Sequence, residues 1–302
     1  MSAAAEGTEP SWRSSAERGS MLGIRVVLFL TTAFGRGPAR LFVRVLAFYY
    51  ALFAGSARRA TSIYLERLGE PATFARAYRQ VLRFAQVTLD ALFLVQGKTA
   101  PFRFTRTGHH HLAELKASGS GAILLGAHLG SFYAMRSQSG AEELPLYAVV
   151  YTKHAQRINA VLEEIAPESN ARLLQMGEGV DFMLRIRELV EQGALIAILA
   201  DRVGSDDRAA EVDFLGAKAR FPTGPYLLAA TLKCPVYLTF GLYRDPDLYE
   251  LFCEPFAERV ELPRKDRQGA LERYAQEYAT RLEGYCRRAP DNWFNFYEFW
   301  AK

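Results

Sequence analysis

Residues 122–132 read Ala-Ile-Leu-Leu-Gly-Ala-His-Leu-Gly-Ser-Phe, an apolar run that ends in a histidine and a glycine-containing turn. A continuous apolar run of this length is typical of a strand that is buried on both faces of a sheet. Gly130 gives the turn backbone freedom, and Ser131 suits the N-cap of a following helix. Functional groups in such sheets gather beyond the carboxyl ends of the strands, so His128 is a candidate general base.

Similar apolar runs recur along the chain and alternate with helical patterns. The predicted strands are 122–127, 146–151, 194–200 and 235–243, and the predicted helices are 73–93, 154–165, 180–191 and 222–232. Strands and helices in alternation predict an α/β fold with a largely parallel or mixed central sheet flanked by helices.

The composition is that of a folded protein that works without disulfides. The chain has 302 residues, of which 50% are hydrophobic and 23% are charged, which excludes a disordered or collagen-like protein. Its length favours one large domain with an appendage. The 3 cysteines form no C-x-x-C pair, which disfavours structural zinc and favours a reducing compartment.

The N-terminal region carries the excess positive charge and is predicted to attach the protein to a membrane. Seven arginines and no acidic residue lie between Arg18 and Leu65, interleaved with the apolar runs 26–34 and 45–54 around a break at 35–38. Each run is too short to span a bilayer, so we expect helices that lie in one leaflet while arginines contact anionic headgroups. The alternative is a pair of buried helices in a soluble core. The predicted units are a polar, disordered tail (1–19), the membrane-associated segment (20–60) and an α/β domain (61–302).

Several other patterns predict no function. The run His109-His110-His111 resembles a metal cluster, but neighbouring residues on a helix point in different directions and no cysteine or aspartate sits at ligand spacing, so a surface cap or loop and no metal site is expected. Gly97-Lys98-Thr99 lacks the first glycine of a phosphate-binding loop. Nucleic-acid binding is disfavoured because the basic residues alternate with apolar runs.

Blocks in a fixed order resemble the lysophospholipid acyltransferase superfamily, in particular its bacterial lipid A biosynthesis lauroyl/myristoyl acyltransferase branch. The blocks are Gly-Ala-His-Leu-Gly-Ser-Phe at 126–132, Ala-Ile-Leu-Ala-Asp-Arg at 197–202, Val-Asp-Phe-Leu-Gly at 212–216, Phe-Pro-Thr-Gly-Pro at 221–225 and Ala-Pro-Asp-Asn-Trp-Phe at 289–294. Together with the basic, apolar N-terminal region, the likeness extends over roughly residues 20–300.

The resemblance implies an enzyme at the cytoplasmic face of the inner membrane of a Gram-negative bacterium. Such enzymes move a fatty acyl chain from the thioester of acyl carrier protein, or of CoA, to a hydroxyl of a membrane glycolipid such as lipid A. His128 would be the base, the partners would be the acyl donor, the glycolipid and an anionic membrane surface, and no metal or redox cofactor would be needed.

One residue departs from the family pattern of histidine, four residues and then Asp or Glu. Tyr133 stands at the acidic position, where a phenol supplies no negative charge to support the imidazolium. Three readings stay open: Tyr133 serves as the catalytic partner with charge supplied by Asp201, Glu142 or Glu143; the protein is a weakened or inactive relative that binds lipid or acyl carrier protein; or the position has been altered from a glutamate.

Other polar residues near strand ends are candidate substrate contacts. Asp201 follows a predicted strand and is a candidate partner of the base, whereas Arg202 is a candidate for a phosphate or pantetheine group; the alternative for both is an ion pair that closes the loop. The remaining candidates are Ser131, Lys153, His154 and Arg157, and the weaker Arg220, each of which is also consistent with a capping or solvent-exposed residue.

Overall fold

A computed structural model describes residues 21–139, 145–150, 173–175, 180–204 and 208–300. Within these ranges the helices are α1 (Met21–Phe34), α2 (Arg36–Phe53), α3 (Gly55–Leu68), α4 (Phe74–Leu94), α5 (His110–Ser118), α6 (Phe132–Ser139), α7 (Val180–Glu191), α8 (Gly224–Leu232) and α9 (Arg267–Arg288). The strands are β1 (Arg103–Thr107), β2 (Ala122–Gly126), β3 (Leu146–Val150), β4 (Leu173–Gln175), β5 (Leu195–Leu199), β6 (Ala209–Phe214), β7 (Ala217–Pro222), β8 (Val236–Arg244) and β9 (Leu248–Ala257).

A seven-stranded sheet forms the centre, in the order β1-β9-β8-β2-β5-β3-β4. Neighbouring strands run parallel except β8 and β9, which form an antiparallel pair. All five residues of β2 are buried, as expected for a strand with elements packed on both faces. The predicted α/β class with a mixed central sheet is therefore confirmed. The strands β6 and β7 form a separate antiparallel pair.

The continuous apolar runs were the reliable strand signal. Four predicted strands correspond to β2, β3, β5 and β8, and the predicted helices 73–93, 180–191 and 222–232 correspond to α4, α7 and α8. The sequence analysis missed β1, β4, β6, β7 and β9. In β1 only Phe104 is apolar, and in β9 Glu250, Glu254 and Pro255 interrupt the apolar residues, so neither segment contains a long continuous apolar run. The predicted helix 154–165 lies outside the described residues.

The N-terminal apolar runs form α1 and α2, which are separated by one residue. Gly35 has a φ of 77°, a left-handed conformation that glycine adopts without strain, and it ends α1. The expected break over 35–38 is therefore too long. Pro38 lies in the first turn of α2, where its missing N–H would have had no helical acceptor.

These helices pack on α4 through one face and leave much of the other exposed. Ala39 and Val43 of α2 are buried in a cluster with Leu89 and Leu92 of α4. Large exposed side chains on α1 and α2 include Phe29, Phe34, Leu41, Val45, Phe48, Tyr49, Leu52 and Phe53. In the described part of the chain no single helix is long and apolar enough to cross a membrane; α2 and α3 meet that test only as a pair, bent by 89°. The expected units 20–60 and 61–302 meet inside α3 and stay a prediction.

Two of the seven N-terminal arginines, Arg36 and Arg40, point into the protein, so the expectation of headgroup contacts was wrong for these two. Arg36 donates from Nε and Nη2 to the two carboxylate oxygens of Asp90, each at 2.8 Å. Arg40 is buried, donates to the Tyr243 hydroxyl at 2.8 Å and pairs with Asp245. These contacts attach α2 to α4 and to the turn between β8 and β9.

Loss of the Arg36 guanidinium is expected to destabilise the fold. The side chain of Asp90 is fully buried, so Arg36→Met leaves a carboxylate without its cation, which costs about 3–5 kcal/mol of unfolding free energy. The double variant Arg36→Met/Asp90→Asn should recover part of this loss, because no buried charge then lacks a partner. Urea unfolding of both variants measures the difference. A loss below about 1 kcal/mol in Arg36→Met, the level of an exposed pair, would contradict the buried contact.

Candidate active site

His128 lies two residues beyond the carboxyl end of β2, on a turn fixed by close backbone contacts. Gly130 has a φ of 67°, and a Cβ built on it would lie 1.9 Å from the carbonyl oxygen of Gly241. The Gly130 N–H donates to the carbonyl of Asn292 at 2.9 Å, and the Ser131 N–H donates to that of Gly241 at 2.7 Å. The turn that carries His128 is thus held between β8 and the C-terminal segment.

Asp201 contacts His128 directly. Because β2 and β5 pair in parallel with Gly126 opposite Leu199, the residues that follow the two strands meet at one edge of the sheet. Oδ1 of Asp201 lies 2.8 Å from Nδ1 of His128, and Oδ2 accepts from the His128 backbone N–H at 3.1 Å. Oδ2 also accepts from Nε1 of the fully buried Trp293 at 3.1 Å. These donors fix the carboxylate in place.

The electrostatics favour a neutral histidine beside an ionised aspartate. Burial alone would raise the pKa of Asp201, but His128, Arg202 and the Trp293 indole outweigh it and lower the pKa to about 2. Burial lowers the pKa of His128, Arg202 lowers it further, and Asp201 opposes both. An ionised carboxylate only accepts, so Nδ1 of the neutral ring carries the proton and Nε2 has a free lone pair. The ring is 32% exposed, which leaves it open to a substrate.

Tyr133 makes no hydrogen bond to the imidazole of His128 among the described residues. Its ring packs against Phe132, with centroids 5.7 Å apart, and against the cluster of α2 and α4 that contains Leu89 and Leu92. No hydrogen bond joins its hydroxyl to His128 among the described residues, and burial raises the pKa of its phenol. No hydrogen bond therefore supports the interpretation that Tyr133 assists the base, whereas the Asp201 carboxylate contacts the imidazole ring.

Of the other candidate residues, some lie in the described part of the chain and the rest lie outside it. Arg202 donates from Nη2 to the carbonyl of Phe294 at 2.9 Å, and its Nε is buried without a hydrogen-bond partner among the described residues. The hydroxyl of Ser131 is fully buried and accepts from the Ala134 N–H at 3.1 Å, so it caps α6 and does not face a substrate. Arg220 is exposed on β7, opposite Glu211. Lys153, His154, Arg157, Glu142 and Glu143 lie outside the described residues.

The histidine run brings possible metal-ligand atoms close together. Ligand atoms of His110, His111 and Glu114 lie within 4.8 Å of one another at the start of α5, while the expectation of no metal site there stays a prediction. The reason is helical spacing, since residues three and four apart share one face of a helix. His111 Nδ1 lies 3.4 Å from the Glu114 carboxylate.

An apolar cavity of about 50 Å³ lies on one face of the sheet beneath α5 and α6. Its lining includes Leu124, Ala197 and Leu251 from three strands, and Phe132 and Met135 from α6. Phe132 follows His128 by four residues, so the cavity begins on the helix next to the histidine turn. Apolar side chains of this kind suit an alkyl chain.

The sequence analysis missed the part that the C-terminal segment plays in the site. Trp293 is fully buried, and its indole Nε1 donates to the Asp201 carboxylate. Asn292 accepts from the Tyr243 N–H at 2.7 Å through its side chain and holds the Gly130 turn through its backbone. The available signal was the place of Asn292 and Trp293 in the block 289–294.

The family of bacterial lipid A biosynthesis acyltransferases matches residues 71–302, which include every element from α4 onward. The chain therefore belongs to this family of acyltransferases, which in general use an acyl donor and a lipid acceptor, and the resemblance seen in its blocks is confirmed. Comparison with curated proteins found no match.

Proposed function

We propose that this protein transfers a fatty acyl chain from the thioester of acyl carrier protein or CoA to a hydroxyl of a membrane glycolipid, with His128 as the general base. The contact of His128 Nδ1 with Asp201 at 2.8 Å is the observation that carries the proposal. It supplies the orienting carboxylate that Tyr133 lacks, and so it favours a working enzyme over an inactive binding partner.

In the proposed reaction, Nε2 of His128 takes the proton of the acceptor hydroxyl as that oxygen attacks the thioester carbonyl carbon. Asp201 stabilises the imidazolium that forms and keeps Nδ1 protonated. The tetrahedral intermediate then collapses, the carbon–sulfur bond breaks, and the proton on Nε2 passes to the departing thiolate. The products are an ester and a free thiol, and the histidine returns to its neutral form. No metal or redox cofactor takes part in these steps.

The residues around the histidine suggest how substrates bind. We place the end of the acyl chain in the apolar cavity lined by Phe132 and Met135. Arg202, whose buried Nε lacks a partner among the described residues, is positioned to offer a charged hydrogen bond to a phosphate of the donor or the acceptor. Lys153, His154 and Arg157 stay candidates for contacts with acyl carrier protein or with a lipid phosphate.

We place the protein on the cytoplasmic face of the inner membrane, attached through α1 and α2. The support is the exposed apolar face of these helices, on which Phe29, Val45 and Phe53 are each more than 60% exposed. Exposed apolar areas of this kind mark membrane or protein contact sites. Arg25 and Arg44 are exposed on the same helices and suit anionic headgroups.

An acyl-transfer assay tests the proposal. The purified protein is incubated with radiolabelled acyl carrier protein or CoA thioesters of several chain lengths and with extracted membrane glycolipids, and the product is resolved by thin-layer chromatography. We expect a labelled glycolipid with one donor class preferred. A folded protein that binds acyl carrier protein yet yields no product with any donor would overturn the enzymatic proposal and favour the binding partner.

The Tyr133 variants separate packing from catalysis. Tyr133→Phe should keep acyl transfer within about twofold, because no hydrogen bond of the hydroxyl reaches His128 and the ring contacts are retained. Tyr133→Glu should lower the melting temperature, because it places a carboxylate among apolar side chains of α2 and α4. Initial rates and thermal unfolding provide the two measurements. A tenfold loss in Tyr133→Phe with an unchanged melting temperature would assign the phenol a direct role.

A further inference from the structure

A second cavity, of about 430 Å³, opens where α2 turns into α3 and where α4 begins. Arg58, Arg59 and Ser62 of α3 line one side, and Thr73 and Phe74 line the other. The residues that line the cavity include two arginines and no acidic residue. This cavity belongs to neither the histidine turn nor the apolar cavity beneath α6.

No acidic residue among those lining the cavity neutralises the guanidinium groups of Arg58 and Arg59. Arg58 donates from Nη1 to the carbonyls of Ala51 and Leu52, at 3.1 and 2.9 Å, so neutral acceptors at the end of α2 fix its position. Its other guanidinium nitrogens have no hydrogen bond to the described residues. Arg59 pairs with Glu298 at 3.1 Å, but both side chains are exposed, and such pairs contribute little and exchange readily.

Backbone groups add to the same positive potential. Ala54, the N-cap residue of α3, provides no side-chain hydrogen bond to the first turn of that helix. The start of a helix carries partial positive charge and favours an anion. Two arginines and a helix start around one opening are the donor set that a phosphate group requires.

The surroundings of the cavity favour a lipid over a small soluble anion. Phe74 lines the cavity and is exposed, and its ring centroid lies 5.9 Å from that of Phe48 on the exposed face of α2. Phe53, which is 67% exposed, lies two residues before the first lining residue, Gly55. A phosphate in the cavity would therefore have apolar side chains beside it, where lipid tails would lie.

We propose that this cavity binds the phosphate group of an anionic membrane lipid and thereby orients the protein on the bilayer. Arg58 supplies the fixed charge, Arg59 leaves Glu298 to join it, and Phe74 and Phe48 contact the tails. The phosphate belongs to a phospholipid headgroup or to a phosphorylated glycolipid. Binding at this cavity requires neither an acyl donor nor His128, so it can be tested independently of acyl transfer.

The test adds a negative charge to the cavity without removing a residue that supports the fold. Ala72 lines the cavity and is exposed, so Ala72→Asp places a carboxylate beside Arg58 and Arg59. Full-length protein is sedimented with phosphatidylcholine vesicles, alone or doped with phosphatidylglycerol or with a phosphorylated glycolipid. We expect Ala72→Asp to weaken binding to at least one type of doped vesicle about fivefold or more and to leave binding to pure phosphatidylcholine unchanged. The added lipid for which Ala72→Asp weakens vesicle binding most identifies the source of the phosphate.

Two control variants separate a local site from general surface charge. Ala72→Asn is neutral and of similar size to aspartate, and Ala75→Asp adds the same charge three residues away, at an exposed position that does not line the cavity. Both should bind doped vesicles within twofold of the original protein. Equal losses in Ala72→Asp and Ala75→Asp, or no loss in Ala72→Asp, would overturn the proposal. Full displacement from doped vesicles by millimolar inorganic phosphate would also overturn it, because the site would then bind free phosphate.

Discussion

Replacing His128 with alanine is expected to reduce the rate of acyl transfer by about 10³-fold or more. The acceptor hydroxyl would lose the group that takes its proton, and no other histidine among the described residues contacts Asp201. Initial rates at saturating donor, measured over a range of acceptor concentrations, show whether the loss lies in turnover, as expected for a base that acts in the transition state.

The fold of the His128→Ala variant provides the control. The imidazole is partly exposed and contributes one side-chain hydrogen bond, so circular dichroism and the melting temperature should change little. A folded variant with more than a tenth of the original rate would show that His128 is not the base. Vesicle binding through the cavity of Arg58 should be retained in the same variant, since that site lies on other elements.

Asp201→Asn is expected to lower acyl transfer by about 10²–10⁴-fold; the same exchange in the Ser-His-Asp triad of serine proteases costs about 10⁴ through the wrong tautomer. An amide nitrogen that faces Nδ1 would favour the proton on Nε2, where the base needs its lone pair. The carboxylate also raises the pKa of His128, so its loss should shift the acid limb of the residual pH–rate profile to lower pH. Rates measured from pH 5 to pH 9 would show both effects.

The Asp201 carboxylate makes the stability of the original protein depend on pH in a defined direction, and Asp201→Asn removes this dependence. The folded-state pKa of Asp201 is about 2, below the ordinary value of 3.8, so its charged form stabilises the fold above pH 3.8 and this contribution fades as the pH falls towards 2. Asp266→Asn, at an exposed aspartate far along the chain at the start of α9, is the matched control and should leave the rate unchanged. A full rate in Asp201→Asn would exclude the carboxylate from the mechanism.

The sequence predicted those parts of the fold that depend on local pattern. The run 122–127 identified β2, and His128 directly after it indicated the edge of the sheet. Asp201 was expected at the same edge because it also follows a predicted strand, and neighbouring parallel strands end at one edge. The contact between the side chains of His128 and Asp201 could not be predicted, because the two residues are 73 positions apart and meet only through the register of β2 and β5. The strand β9 was missed because Glu250, Glu254 and Pro255 interrupt its apolar residues.

The direction in which a side chain points was also not predictable from the sequence pattern. The spacing of Tyr133 from His128 predicted a partner, but the rotation of α6 turns Tyr133 towards α2 and α4. A count of N-terminal arginines likewise does not show that Arg36 and Arg40 point inward, since that depends on Asp90 and Asp245, residues more than fifty positions away. Side-chain direction is set by tertiary contacts, which a single pattern does not contain.

The close approach of Gly130 and Gly241 has a consequence for protein engineering. A Cβ on Gly130 would collide with the Gly241 carbonyl at 1.9 Å, and a Cβ on Gly241 would lie 2.7 Å from the carbonyl of Ser131. Neither position therefore tolerates a side chain, and a change at one cannot be compensated at the other. In chimaeras made by recombining this chain with a homologue, the histidine turn and the middle of β8 must consequently be inherited as one block.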